Sequence, residues 1–144
     1  MIYKDYPASG DAYAQEYDLR NRTLRHPHGL DLKDEDLSRD FEDYHIGGFS
    51  GDGRLLATLM LHPTGVKGEL QMRQVCTEPD ERGKGIGSEM VRFCEKFAKE
   101  KGYNRIILHG RAVAANFYKR LGYETDDVLF YELGIPHYHF WKEI

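Results

Sequence analysis

Apolar positions recur at helical spacing most plainly in the second half of the chain. Ile86, Met90, Val91, Cys94, Phe97 and Ala98 fall on one side of a helix, with Arg92, Glu95, Lys96 and Lys99 on the other and Gly102 as the stop. Shorter apolar runs predict strands over residues 44–50 and 54–62, joined by the turn Gly51-Asp52-Gly53, and over residues 69–77 after a second turn at 63–68. Residues 105–109 read as a strand, and residues 112–121 as a helix stopped by Gly122. Two last strands, 128–133 and 138–141, are expected around Gly134-Ile135-Pro136. Near the start, residues 11–25 predict a helix with Tyr13, Tyr17, Leu19 and Leu24 roughly on one side, ended by Pro27 and Gly29. The acidic stretch that follows, 29–39, reads as irregular with a short helix near 34–37.

The order is helix, three strands, helix, strand, helix, two strands. It predicts a mixed α/β (α+β) fold, helices packed on a largely antiparallel sheet, in a single domain over residues 1–144. That length can bury a sizeable core. Charged residues at 31% and hydrophobic ones at 40% are ordinary for a soluble protein, and a net charge of −4 gives no reason to expect nucleic acid as a partner. No apolar run is long enough to span a bilayer, and residues 1–10 lack the basic and apolar segments of a secretory signal. Cys76 and Cys94 sit in apolar contexts without metal-ligand spacing, as buried free thiols of a cytoplasmic protein do. The glycosylation pattern Asn21-Arg22-Thr23 then carries no meaning.

Between the third strand and the clearest helix lies Arg82-Gly83-Lys84-Gly85-Ile86-Gly87. Three glycines in six residues, at the start of a helix, leave main-chain N–H groups and the positive end of the helix dipole open to an anion. A Walker loop is excluded because no Ser or Thr follows Lys84. A Rossmann turn is excluded because Glu78-Pro79-Asp80-Glu81 separates the strand from the glycines.

The stretch Val75-Cys76-Thr77-Glu78-Pro79-Asp80-Glu81-Arg82-Gly83-Lys84-Gly85-Ile86-Gly87 resembles the acetyl-coenzyme A motif of the GNAT superfamily of N-acetyltransferases, with Thr77 where valine is common. Phe117-Tyr118-Lys119-Arg120-Leu121-Gly122-Tyr123 is similar to a second motif of that family. The resemblance covers essentially the whole chain, and Leu108-His109, Phe117-Tyr118 and Gly134-Ile135-Pro136-His137 look most like the small ElaA-like branch. It implies helices on both faces of the central sheet and acetyl-coenzyme A as co-substrate. Residues 82–87 would take the diphosphate, with Arg82 and Lys84 adding charge, and Val75, Cys76 and Thr77 would pair with the pantetheine arm as an added strand. Tyr118 matches the family's proton donor to the leaving thiolate. Many relatives carry Asn where Arg111 stands, so one cofactor hydrogen bond is not carried over.

Glu69, at the strand start where histone-type relatives keep a base, and His109 and His137, whose residue type suits proton transfer at neutral pH, are the candidate bases; a water relay is the alternative. The implied function is transfer of an acetyl group to a primary amine of a small molecule or peptide, without a covalent acetyl-enzyme. The competing reading is a non-catalytic acyl-coenzyme A sensor on the same fold. No metal is expected: His137 and His139 share a strand face, and His26 and His28 might meet them, but no further convergent ligand is visible. Arg20 and Arg25 on the first helix either grip an acidic acceptor or form a solvated face. The acidic stretch 31–43 either attracts a cationic acceptor or is a solvated loop. A homodimer is compatible with the sequence and not required by it.

Overall fold

The computed structural model describes residues 1–144. Eight strands form one mixed sheet: β1 (Ile2–Tyr6), β2 (Tyr44–Phe49), β3 (Leu55–Pro63), β4 (Glu69–Thr77), β5 (Arg105–Arg111), β6 (Glu124–Thr125), β7 (Phe130–Glu132) and β8 (Ile135–Glu143). Their order is β1-β2-β3-β4-β5-β8-β6, with β7 also paired to β8. All neighbours are antiparallel except β4 and β5, which the crossover through α2 (Ile86–Glu100) makes parallel. α1 (Gly10–Arg20) packs against β3 and β4, and α3 (Ala115–Arg120) against β5. From Leu55 to Leu61 every residue of β3 is buried, as a strand covered on both faces must be.

The helix read most clearly from periodicity is the one that anchors the core. Met90, Val91, Cys94 and Ala98 of α2 are fully buried against Ile46, Leu59, Leu70 and Ile106. Each large apolar side chain contributes about 1.5–3 kcal/mol by leaving water. Tyr6, Leu19, Phe49, Leu55 and Cys76 form a smaller core beneath α1.

Four expectations need correction. β1 was absent from the pattern because only Tyr6 of its five residues is buried; main-chain pairing with β2, from Ile2↔Phe49 to Tyr6↔His45, holds it. β6 pairs over two residues only, too few to leave a pattern. The last hairpin turns at Leu133-Gly134, both at positive φ (51° and 74°), so Ile135 and Pro136 belong to β8 rather than to the turn. In the acidic stretch, short 3-10 turns at Leu32–Asp34 and Asp40–Glu42 replace the helix expected at 34–37.

α1 departs from expectation in its buried face, which carries Glu16 and Arg20 beside Leu19. The Glu16 carboxylate accepts from the Tyr6 hydroxyl at 3.0 Å, lies 2.8 Å from His45 Nδ1 and pairs with Arg20 at 3.0 Å. A buried charge is tolerated when such partners surround it. The helix continues as a π-helical turn over Asn21–Arg25, a backbone form frequent near functional sites.

One irregularity shapes the site. Between Thr58↔Cys76 and Met60↔Arg73, β4 uses one residue more than β3, and Gln74 takes a left-handed φ of 54°. Beyond this bulge β4 leaves β5, which pairs with it only from Glu69↔Arg105 to Met72↔Leu108. The sheet therefore splays, and the main chain of residues 73–77 has β3 on one side and open space on the other.

Candidate active site

A cleft of about 900 Å³ fills the splay. Its lining includes Val75, Cys76 and Thr77 of β4, Arg82, Gly83, Gly85, Ile86 and Gly87 of the glycine loop, Tyr118 of α3, and His109 and His137 of β5 and β8. Sequence candidates separated by up to 62 residues (Val75 to His137) thus share one space.

In the glycine loop the backbone supplies the chemistry. Gly83 and Gly85 take φ of 80° and 81°, where any side chain would be strained. Gly85 is the N-cap of α2 and offers no capping side chain. The first main-chain bond of that helix runs from the Glu89 N–H to the Gly85 carbonyl, and the seven N–H groups from Arg82 to Ser88 have no acceptor in the chain. Arg82 before these glycines is extended (φ −69°, ψ 151°), and a turn of left-handed glycines leading into a helix start makes a nest of main-chain donors suited to anions. Lys84, expected to add charge, does not line the cleft; its ammonium pairs with Glu81 at 3.0 Å.

Deeper in the cleft, Tyr118 packs its ring edge-on to Phe117 and tilted against Phe140, with centroids 5.1 Å away in each case. Gly110 makes this approach possible, since a Cβ there would lie 2.8 Å from Phe140 and 3.0 Å from Tyr118. The Tyr118 hydroxyl has no hydrogen-bond partner in the protein. Burial pushes this phenol above its usual range, and the Arg111 charge opposes that rise. Cys76 also borders the cleft, but burial pushes its thiol up to about 12, with a Thr23 hydrogen bond opposing. A thiol so protonated is a poor nucleophile.

On the other face of β5, His109 Nδ1 meets Glu132 Oε1 at the end of β7. Its ring stands edge-on to His139 at 4.7 Å and to Phe130 at 5.2 Å. His137 is 8% exposed, with Nδ1 2.7 Å from the Ile135 carbonyl and Nε2 3.9 Å from Glu132. One carboxylate therefore serves both histidines, and only His109 Nε2 has no recorded partner. Glu69 lies apart: at the far end of β4 it accepts from Thr64 at 2.8 Å, pairs with Arg105 at 3.3 Å, and does not line the cleft.

Neither Arg20 nor Arg25 forms a solvated face. Arg20 is buried between Glu16 and Asp40, and Arg25, 8% exposed, is held by both oxygens of Glu35 at 2.6 and 3.1 Å. Much of the acidic stretch is likewise engaged: Asp31 accepts from Asn21 and Lys33, Asp40 from Tyr13 and Arg20, and Asp43 faces His62. Glu132, Gly110 and Gln74 escaped sequence reasoning. Gly110 within a strand pattern was the one available signal, since such a glycine marks close approach. Gln74 leaves a buried side-chain oxygen without a partner at the cleft wall.

Comparison with known proteins gives a consistent result. The model of the acetyltransferase (GNAT) family matches residues 11–123. YyaT of Bacillus subtilis, an uncharacterized protein, is 39% identical over 74 residues, 51% of this chain and 50% of that protein. YjcF of the same organism, described as an uncharacterized N-acetyltransferase, is 30% identical over 74 residues, 51% and 53% of the two chains. The matched part thus spans about half the length of these curated relatives. Among solved structures, Escherichia coli ElaA superposes with a TM-score of 0.84 at 19% identity over 99% of both chains. An aminoglycoside 6'-N-acetyltransferase complexed with coenzyme A gives 0.81 at 17% identity, over 99% of this chain and 97% of that one. At such identities the superpositions establish the fold.

Proposed function

Because this chain belongs to the GNAT family of acetyltransferases, we propose that it moves an acetyl group from acetyl-coenzyme A to a primary amine by direct transfer in a ternary complex. The observation that carries the reading is the run of seven acceptor-free N–H groups, Arg82 to Ser88, at the mouth of a cleft that also reaches Tyr118 and His109. The donors suit a diphosphate, and Arg82 adds charge at the same mouth. The open edge of β4 at Val75, Cys76 and Thr77 suits an extended amide-bearing arm, which it would bind as an added strand.

The amine lone pair attacks the thioester carbonyl, a C–N bond forms, the C–S bond breaks, and the electron pair leaves with sulfur. With Nδ1–H donating to Glu132, His109 keeps a lone pair on Nε2 and takes the amine proton. His137, whose ring nitrogens face the Ile135 carbonyl and Glu132, helps fix that carboxylate. Tyr118 meets the departing thiolate with its free hydroxyl. Burial makes Tyr118 a weaker acid, so it acts first as a hydrogen-bond donor and passes its proton late. Cys76, held protonated, takes no acetyl group, which accords with direct transfer.

Calorimetry with acetyl-coenzyme A, ATP and NAD tests the binding half, with affinity expected for the thioester alone. Thiol release across a library of amines and peptides tests the chemistry. Tight binding without turnover on any amine would favour an acyl-coenzyme A sensor.

A further inference from the structure

The chain as a whole is acidic, with a net charge of −4, yet its cleft is basic. Arg25, Arg73, Arg82, Arg111 and Arg120 line it, against only Glu81 and Glu132. A coenzyme A diphosphate at the glycine loop accounts for Arg82, Arg120 is exposed to water, and two of the remaining three cations are met by the protein itself. Arg25 is bound by Glu35, and Arg73 lies 3.8 Å from Asp43. Glu132 is taken by His109 and His137. Arg111, the one half-buried arginine of the cleft, has neither an ion pair nor a hydrogen bond, and burial with the charges of Arg25 and Arg82 lowers its pKa. A guanidinium kept among other guanidinia without an anion costs stability unless a ligand supplies one.

Its position indicates which ligand. Along β5, His109 and Arg111 share one face, and Gly110 between them presents the other to Tyr118. Arg111 thus stands beside the candidate base. Two residues along a strand separate their Cα atoms by about 7 Å, a span suited to an amine and a carboxylate in one small molecule. We propose, resting on the acetyltransferase reading above, that Arg111, backed by Arg25, forms an anion subsite for a carboxylate on the acceptor, so that the amine acetylated belongs to an amino acid or a similarly short amino-carboxylate. Gln74, with its unpaired side-chain oxygen at the same wall, is an acceptor for the N–H of that amine. Polycationic amines are disfavoured by the same charges.

The test is calorimetric titration of the coenzyme A-saturated protein with N-acetyl amino acids and the matching N-acetyl carboxamides, across acidic, basic, polar and apolar side chains. At least one acid is expected to bind about tenfold or more tightly than its carboxamide, as a charge-assisted hydrogen bond warrants. Arg111→Gln should erase that gap, Arg111→Lys should keep part of it, and both should bind coenzyme A alone as the parent does. Acids and carboxamides behaving alike in every pair, bound or unbound, would overturn the proposal. So would a gap that survives Arg111→Gln, or a tenfold loss of coenzyme A affinity in that variant, which would assign Arg111 to the phosphates. Failure of coenzyme A to bind the parent protein would instead refute the reading on which this subsite rests.

Discussion

The two ends of the cleft are built from different materials. At the glycine loop the groups we assign to ligand binding are main-chain N–H donors, aimed by two positive-φ glycines and a helix start. At the opposite end they are side chains: His109 and Glu132 brought together from β5 and β7, Arg111 at the strand end, and Arg25 on a π-helical turn. A backbone site depends on local conformation, which a short run of sequence can dictate. A side-chain site depends on strands meeting across the sheet, which no short run dictates. The first is suited to an invariant ligand part and the second to a variable one, since side chains change without disturbing the fold.

The largest effect is expected from Gly85→Glu. It puts a side chain on a residue at φ 81° and a carboxylate inside the anion nest. The left-handed conformation alone costs about 1–2 kcal/mol, and charge repulsion adds to it. Coenzyme A affinity should fall about 100-fold or more in a protein whose circular dichroism is unchanged. Unchanged affinity in the folded variant would remove the backbone site from the comparison. Next is Tyr118→Phe, which deletes the free hydroxyl and keeps the ring against Phe117 and Phe140. The rate of thiol release should drop about 100-fold, with coenzyme A affinity within a few-fold of the parent. A rate that survives would mean the thiolate is met by another group, with Arg111 the first to examine.

How much was legible follows the same division. The glycine loop, α2 and the Phe117-Tyr118 segment could be read because each is local: period, stop and turn residues all lie within a few positions. The strands β2 to β5 were read to within two residues at either end, since buried apolar runs mark them. β1 escaped because its partners, not its pattern, hold it in place. Glu69 was a reasonable base on spacing, but spacing along β4 says nothing of Thr64 and Arg105, which engage it away from the cleft. Glu132 was invisible for the converse reason: its value comes from His109, 23 residues away in sequence. The face of α1 was misread because Glu16 and Arg20 are buried by partners on other elements.

Gly110→Ala sharpens the contrast by a smaller effect at the boundary between the two ends. The added methyl would meet Phe140 at 2.8 and 2.9 Å and Tyr118 at 3.0 Å, so rings or strand must shift. Overpacking of this kind costs about 1–3 kcal/mol, to be measured as a lowered denaturation midpoint in urea. Turnover should fall more than coenzyme A affinity, because Tyr118 moves while the nest does not. Equal losses in both would mean that the two ends are mechanically coupled through β5.

The smallest effect is expected from Lys84→Ala. Lys84 lies between two cradle glycines, and charge alone would make it a phosphate ligand. Its ammonium instead pairs with Glu81 at 3.0 Å on a side chain 59% exposed, where screening by water leaves little net attraction for a further anion. Coenzyme A affinity should therefore change by about twofold or less. Arg82→Ala, which removes a cation that lines the cleft, should weaken binding more, and the loss should shrink as salt is raised. A tenfold loss from Lys84→Ala would mean that side-chain charge, and not the row of N–H donors, holds the diphosphate, and the distinction between the two ends would fall with it.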